Sequence, residues 1–299
     1  MAKIAVELEQ ALARRAAGGA RGQTTARRLA QGDGWTVEDV VCTCGPQDRP
    51  FEERHVGFSI AIVAAGSFQY RSATGHELMT PGSLLLGNAG QYFECGHEHG
   101  CGDRCISFYY APDYFERLTA DAGARGPTLD FRTLRLPPVR ALSPLIARAC
   151  ADLTMPDHVN VPWEELSIQM AAQTVQVVSG RSSQPNAAPP SALARVTRAV
   201  RAIGADPDAA LTIGHLARKA GLSPYHFLRT FERLTGLTPH QYVVRARLRE
   251  AAIRLAAEQR AKIIDIALDS GFGDVSNFNR AFRAEFGVTP RGYRLQARR

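Results

Sequence analysis

Ile213-Gly-His-Leu-Ala217-Arg-Lys-Ala-Gly221-Leu-Ser-Pro-Tyr225-His-Phe-Leu-Arg229-Thr-Phe231 returns fifty residues later as Ile263-Ile-Asp-Ile-Ala267-Leu-Asp-Ser-Gly271-Phe-Gly-Asp-Val-Ser-Asn-Phe278-Asn-Arg280-Ala-Phe282. Ile213 aligns with Ile263, Leu216 with Ile266, Ala217 with Ala267 and Gly221 with Gly271. The second copy carries one extra residue after the glycine, so Phe227, Arg229 and Phe231 align with Phe278, Arg280 and Phe282. Each element meets a geometric need. Two short helices crossing at a wide angle need a turn residue at ease at positive φ, which Gly221 and Gly271 supply. Ala217 and Ala267 are small enough for the helices to approach closely. Leu222 and Phe272 plug the angle between them. Ser223 is a good N-cap with Pro224 at the first helical position, and Asp274 caps the second copy.

Phe227 and Phe231 stand at i, i+4, as do Phe278 and Phe282, so each pair shares one inward helix face. The opposite face carries Tyr225, Leu228, Arg229 and Glu232 in the first copy, and Ser276, Asn277, Asn279 and Arg280 in the second. Arginine contacts guanine bidentately and asparagine contacts adenine, the chemistry that base reading in a major groove requires. The repeat therefore predicts two helix-turn-helix heads for double-stranded DNA.

These residues, together with Arg247-Leu248, Ala251, Leu255, Phe286-Gly287-Val-Thr-Pro290 and Arg291-Gly-Tyr293-Arg294, resemble the AraC/XylS family of transcription regulators. The resemblance covers about residues 192 to 296. It implies seven helices, with a long one near Pro239 to Ala257 holding the heads apart over consecutive major-groove segments about 34 Å from one another. Positions matching the family's base-contacting residues are Tyr225, Leu228, Arg229, Ser276, Asn277 and Arg280. Leu228 departs from the polar residue usual there. RNA polymerase and a small-molecule or metal effector are the further partners the resemblance implies.

Charge supports the division. Residues 191 to 299 hold 19 Lys and Arg against 9 Asp and Glu, a net of +10, whereas the whole chain is +7. A basic C-terminal third on a mildly acidic body is the footprint of a phosphate-binding module. No apolar run approaches the roughly 20 residues of a membrane span, and no signal-type segment opens the chain, so a cytoplasmic protein is expected.

From Trp35 to about Asp113 the pattern turns extended. Phe58 to Val63, Ser67 to Arg71, Ser83 to Leu86 and Ile106 to Tyr110 read as short strands bounded by glycine or proline. Pro81-Gly82-Ser83, Gly90 and His97 resemble the second half of a cupin motif. The expected fold class is α+β: an N-terminal cupin-like β-barrel with following helices, then an all-α double helix-turn-helix domain. Leu142, Leu145, Ile146, Ala149 and Leu153 make one helical stripe, and Trp163, Leu166, Met170 and Val177 another. In the family such helices often form a homodimer seam. Boundaries are expected at 1–34 (a loosely held extension), 35–180 (sensor and dimerisation domain), 181–191 (linker) and 192–299 (DNA-binding domain).

Cys95-Gly-His97-Glu-His99-Gly-Cys101-Gly-Asp103-Arg-Cys105 is the most chemically loaded stretch. A straight strand spaces its odd positions roughly 6.6 Å apart, too far for one ion with bonds near about 2.0–2.3 Å. The interposed glycines would let it coil, and Cys42 and Cys44 add two thiols if the fold brings them close. Three readings stay open for Cys95, His97, His99, Cys101 and Cys105: side chains with no ligand, a metal site, or a thiol switch. No cofactor is otherwise indicated. Catalysis is not expected. A metal-dependent cupin enzyme would want a glutamate a few residues past His99, where Asp103 is the only carboxylate. A resemblance to alkylation-repair proteins fused to such DNA-binding domains lacks their paired zinc-cysteine spacing.

Overall fold

Burial alternates strictly along the start of Trp35–Cys42, with Trp35, Val37 and Asp39 inside, and this strand builds the larger of two sheets. The computed structural model describes residues 3–50, 52–98, 100, 102–122, 130–153, 162–179, 189–207 and 211–297. In chain order the first half comprises α1 (Lys3–Gly18), β1 (Thr24–Gly32), β2 (Trp35–Cys42), β3 (Glu52–Arg54), β4 (Phe58–Gly66), β5 (Phe68–Ser72), β6 (Gly75–Met79), β7 (Leu84–Gly87), β8 (Tyr92–Gly96), β9 (Asp103–Tyr110), α2 (Pro112–Asp121), β10 (Arg135–Leu136), α3 (Ser143–Asp152) and α4 (Trp163–Ser179). The strands form a six-stranded sheet ordered β1-β2-β9-β4-β7-β10 and a four-stranded sheet ordered β3-β8-β5-β6.

The two sheets face one another in a cupin-like arrangement. No ladder of backbone hydrogen bonds closes them into a continuous barrel among the described residues. The chain passes between sheets at sharp corners. At Gly66 φ is +76°, and an added Cβ would lie 2.3 Å from the carbonyl oxygen of Gly102, so only glycine fits. One face of the large sheet, carrying Val37, Ile60, Ile62, Ile106, Phe108 and Tyr110, packs against α2, α3 and α4 to form the main core. The other face turns toward the small sheet.

Residues 3–34 are more ordered than the loose extension expected for 1–34. β1 pairs along the whole of β2 as the edge of the large sheet. Leu8 of α1 is buried, Glu7 pairs with Arg104, and Arg15 Nη2 meets Asp48 Oδ2 at 2.7 Å. An edge strand needs no apolar alternation on its open side, and the residues of β1 are largely exposed. That is why periodicity gave no sign of it.

The second half is helical: α5 (Pro190–Ala205), α6 (Ile213–Ala220), α7 (Pro224–Thr235), α8 (Pro239–Ala257), α9 (Ile263–Asp269), α10 (Val275–Phe286) and α11 (Pro290–Gln296). These are the seven helices expected, with α8 as the long one. Most of the anticipated linker, residues 181–188, lies outside the described residues. The helical half is docked on the sheet half. Ala147 and Ala151 of α3 join the core made by Leu248, Ala251, Ala252 and Leu255 of α8, and Ile253 reaches the main sheet core. No described helix is long and apolar enough to cross a membrane.

Candidate nucleic-acid interface and effector cavity

Both heads are built as their residues demand. In the first, Thr212 caps α6 and Gly221 takes the left-handed conformation (φ 64°, ψ 39°). Ser223 Oγ then accepts from His226 N at 3.4 Å to start α7. In the second, Gly271 has φ +81°, and Asp274 Oδ1 accepts from Asn277 N at 2.6 Å to start α10. Phe227 and Phe231, like Phe278 and Phe282, are wholly buried, each pair with ring centroids 5.4 Å apart. The inward faces are thus fixed by aromatic packing, worth several kcal/mol apiece on truncation (about 3–5).

With those faces fixed, the opposite side of each second helix is set by geometry. Arg229, Ser276, Asn277, Asn279 and Arg280 are exposed, Leu228 is half-buried, and the side chain of Tyr225 lies outside the described ones. Asn279 and Arg280 edge a groove of about 810 Å³ that Ile263, Ile264, Arg283 and Arg291 also line. Between the heads, α8 spans 19 residues, about 28 Å at 1.5 Å per residue. Its start is locked by a reciprocal cap, in which Thr238 Oγ1 accepts from Gln241 N and Gln241 Oε1 accepts from Thr238 N. Arg247 of α8 donates to the carbonyls of Pro207 (2.6 Å) and Gly271 (2.7 Å), tying the turn of the second head to the long helix. Sequence reasoning placed Arg247 only in a motif; this bonding role could be seen only in the fold.

The C-terminal ends of both reading helices are held by the sheet half. Arg135 bridges Glu77 (3.0 Å) and the carbonyl of Thr235, the last residue of α7 (3.2 Å). Glu285 of α10, nearly buried, accepts from Ser143 Oγ and pairs with Arg245 (3.3 Å) and Arg140 (3.4 Å). Tyr242 donates to the carbonyl of Pro81 at 3.4 Å.

A cavity of about 720 Å³ opens between the sheets. Its lining follows from register: Thr36, Glu38 and Val40 on β2 stand opposite Tyr109, Ser107 and Cys105 on β9, all on the face turned toward the small sheet. Trp35, His55 and Phe93 supply aromatic wall, and Arg28, Arg54 and Glu53 supply charge. His55 stacks on Phe93 at 4.1 Å and meets Tyr70 Oη at 2.8 Å; burial holds its pKa down to about 4, so it is neutral at physiological pH.

Of the cysteine and histidine stretch, His99 and Cys101 lie outside the described residues. Cys95 and Cys105 border the cavity, and burial pushes both thiols well above the ordinary range, with Asp103 adding to it. Since the thiolate is the reactive form, that environment favours quiet thiols over an oxidant switch. His97 is buried beside Asp103, Nε2 to Oδ1 at 2.6 Å, and close to Cys42. Burial opposes charge on its ring, but the hydrogen bond and attraction to Asp103 outweigh that and raise its pKa to about 9. Cys150 is a core residue.

Known proteins match both halves. Residues 216–296 match the family model described as a helix-turn-helix domain, and residues 39–172 match the AraC-like ligand binding domain. The chain is 39% identical over 87 residues to the regulatory protein SoxS of Salmonella typhimurium, covering 29% of this chain and 80% of that one. It is 40% identical over 82 residues to the HTH-type transcriptional regulator Rv1931c of Mycobacterium tuberculosis, covering 27% of this chain and 31% of that one. The crystal structure of ToxT from Vibrio cholerae aligns over 92% of this chain and 98% of its own at 16% identity, with a TM-score of 0.33. Nothing further follows from so low a score.

Proposed function

Because the chain belongs to the AraC/XylS family of DNA-binding transcription regulators and carries that family's N-terminal ligand-binding domain, we propose that α7 and α10 each enter a major groove on one face of a single duplex. Tyr225, Leu228 and Arg229 then meet base edges in one segment, and Ser276, Asn277, Asn279 and Arg280 in the next. The observation that carries this is the fixed pair of aromatic inward faces, which leaves Arg229 on the outer side of α7 and Ser276, Asn277, Asn279 and Arg280 on the outer side of α10. The net charge of the C-terminal third supplies the sequence-independent attraction to phosphate.

The effector in this reading is a small organic molecule with an apolar body and a polar head, held in the 720 Å³ space between the sheets. Its aromatic wall suits the body, and Arg28, Arg54, Glu38 and Glu53 suit the head. Its signal passes through the docking of α3 on α8 and through the anchors Arg135–Thr235 and Ser143–Glu285. A ligand that favours one arrangement of the halves shifts the population of the DNA-competent state by its differential affinity. The role is regulatory rather than catalytic, and a cytoplasmic location follows from it. RNA polymerase and a second copy of the chain are the protein partners it implies. Since α3 is buried on both sides, a dimer seam would fall to α4, where Ile168 is exposed.

Selection of binding sites from random duplex DNA with the full chain tests the reading. It should return a consensus of two short blocks whose centres lie about one helical turn, 10–10.5 base pairs, apart. Recovery of unenriched sequence, or of a single block, would refute two-headed reading.

A further inference from the structure

The end of the β2–β9 ladder gathers a group of side chains that neither base reading nor organic effector binding uses. Cys42 closes β2 and Asp103 opens β9, and the two are cross-strand partners. His97 arrives from the small sheet, one residue past β8. One donor atom from each lies within 4.8 Å of the other two, and all three residues are buried. His97 Nε2 is spent on Asp103 Oδ1, but its Nδ1, equally buried, has no hydrogen-bond partner among the described residues.

We propose that Cys42, His97 and Asp103 form a Zn²⁺ site that staples the two sheets. Sulfur, imidazole nitrogen and carboxylate oxygen together suit a borderline ion such as zinc, whereas Mg²⁺ and Ca²⁺ take oxygen donors. Bonds of about 2.0–2.3 Å set tetrahedral ligand atoms about 3.3–3.8 Å apart, within the observed span. The 2.6 Å contact between His97 and Asp103 must open by about 0.7 Å to reach that spacing. Binding releases two protons to solvent, one from the Cys42 thiol and one from the His97 ring, whose ligating nitrogen must be unprotonated. Three protein ligands leave a fourth position, and because Cys42 and Asp103 also border the cavity, that position faces whatever the cavity holds.

The site stands where it can be felt by the other half of the chain. His97 and Asp103 mark the two ends of the loop that joins the sheets. Gly100 in that loop lies against α5, so close that an added Cβ would come 2.7 Å from Arg201 Nη1. A cation fixing both ends of the loop therefore bears on the first helix of the DNA-binding half. The site goes beyond the effector reading and does not depend on it, since the ion is read without DNA.

The test is titration of Co²⁺, then Zn²⁺, into full-length protein stripped of metal under anaerobic conditions. One equivalent of Co²⁺ should produce tetrahedral ligand-field bands and a thiolate charge-transfer band, displaced by one equivalent of Zn²⁺. Cys42→Ser should abolish the charge-transfer band, and His97→Asn and Asp103→Asn should weaken Co²⁺ binding at least about tenfold. Cys150→Ala should leave all of it unchanged. Circular dichroism checks that each variant folds. Should Cys42→Ser fail to fold, alkylation of the unaltered protein decides: Zn²⁺ should shield Cys42 from iodoacetamide, as mapped by mass spectrometry. Absence of the charge-transfer band, its persistence in Cys42→Ser, or equal alkylation of Cys42 with and without Zn²⁺ would each overturn the proposal.

Discussion

Arg135, on the last strand of the large sheet, donates from Nη1 to the main-chain carbonyl of Thr235, the final residue of the first reading helix, at 3.2 Å. The same guanidinium is held by Glu77 at 3.0 Å, so the sheet half orients an arginine whose task is to grip the DNA-binding half. Ser143 and Glu285 make the matching contact at the second reading helix. The two heads are therefore each referred to one frame, in addition to being spaced by α8.

Loosening both anchors should free the docking face. In Arg135→Ala/Glu285→Gln, amide hydrogen exchange should rise in α3 and α8 around residues 147–151 and 248–255, while the inner strands β4 and β9 keep their protection. Unchanged exchange in α3 and α8 would mean that the halves are held together without these two anchors, by apolar packing and the remaining polar contacts such as Tyr242 to Pro81.

Arg104 is wholly buried and meets Asp39 bidentately, Nε to Oδ1 and Nη2 to Oδ2, both at 2.9 Å. Asp39→Ala leaves that guanidinium short of its main counter-charge in the interior. Denaturant unfolding should show a loss of about 3–5 kcal/mol. A loss below about 1 kcal/mol would show that the other partners of Arg104, Glu7 of α1 among them, compensate.

His55 has a pKa held down to about 4 by burial, against about 6.5 when unfolded. The protonated form is thus favoured in the unfolded chain. Its contribution to stability is complete above about pH 6.5 and is lost as pH falls through about 4, by at most about 3.4 kcal/mol. His55→Gln should flatten that stretch of the stability–pH curve. An unchanged slope would assign the acid loss to other groups.

The helical half was legible because its signals are local. The glycines at 221 and 271, the caps Ser223 and Asp274, and the paired phenylalanines each act within a few residues and mark the two helix-turn-helix units, while the seven-helix layout is what the family resemblance implies. The sheet half was legible where short apolar runs are bounded by glycine or proline, as at Phe58 to Val63, and where apolar and polar residue types alternate, as at Ile106 to Tyr110, although both faces of these strands are covered. β1 escaped notice because it lies at an edge and exposes most of its side chains. The cluster of Cys42 with His97 and Asp103 was legible only as an inventory of donors. Which of them meet depends on the register of β2 against β9 and on a loop crossing between sheets, relations that no spacing along the chain encodes.

The central claim is that one chain reads two successive groove segments through Arg229 and Arg280. Hydroxyl-radical footprinting of the full chain on its selected site tests it most directly, with Arg229→Ala and Arg280→Ala alongside. Two protected patches about one helical turn apart are expected, with Arg229→Ala relaxing base preference in one and Arg280→Ala in the other, each at a cost of about 1–3 kcal/mol. A single patch, or equal weakening of both patches by either substitution, would contradict it.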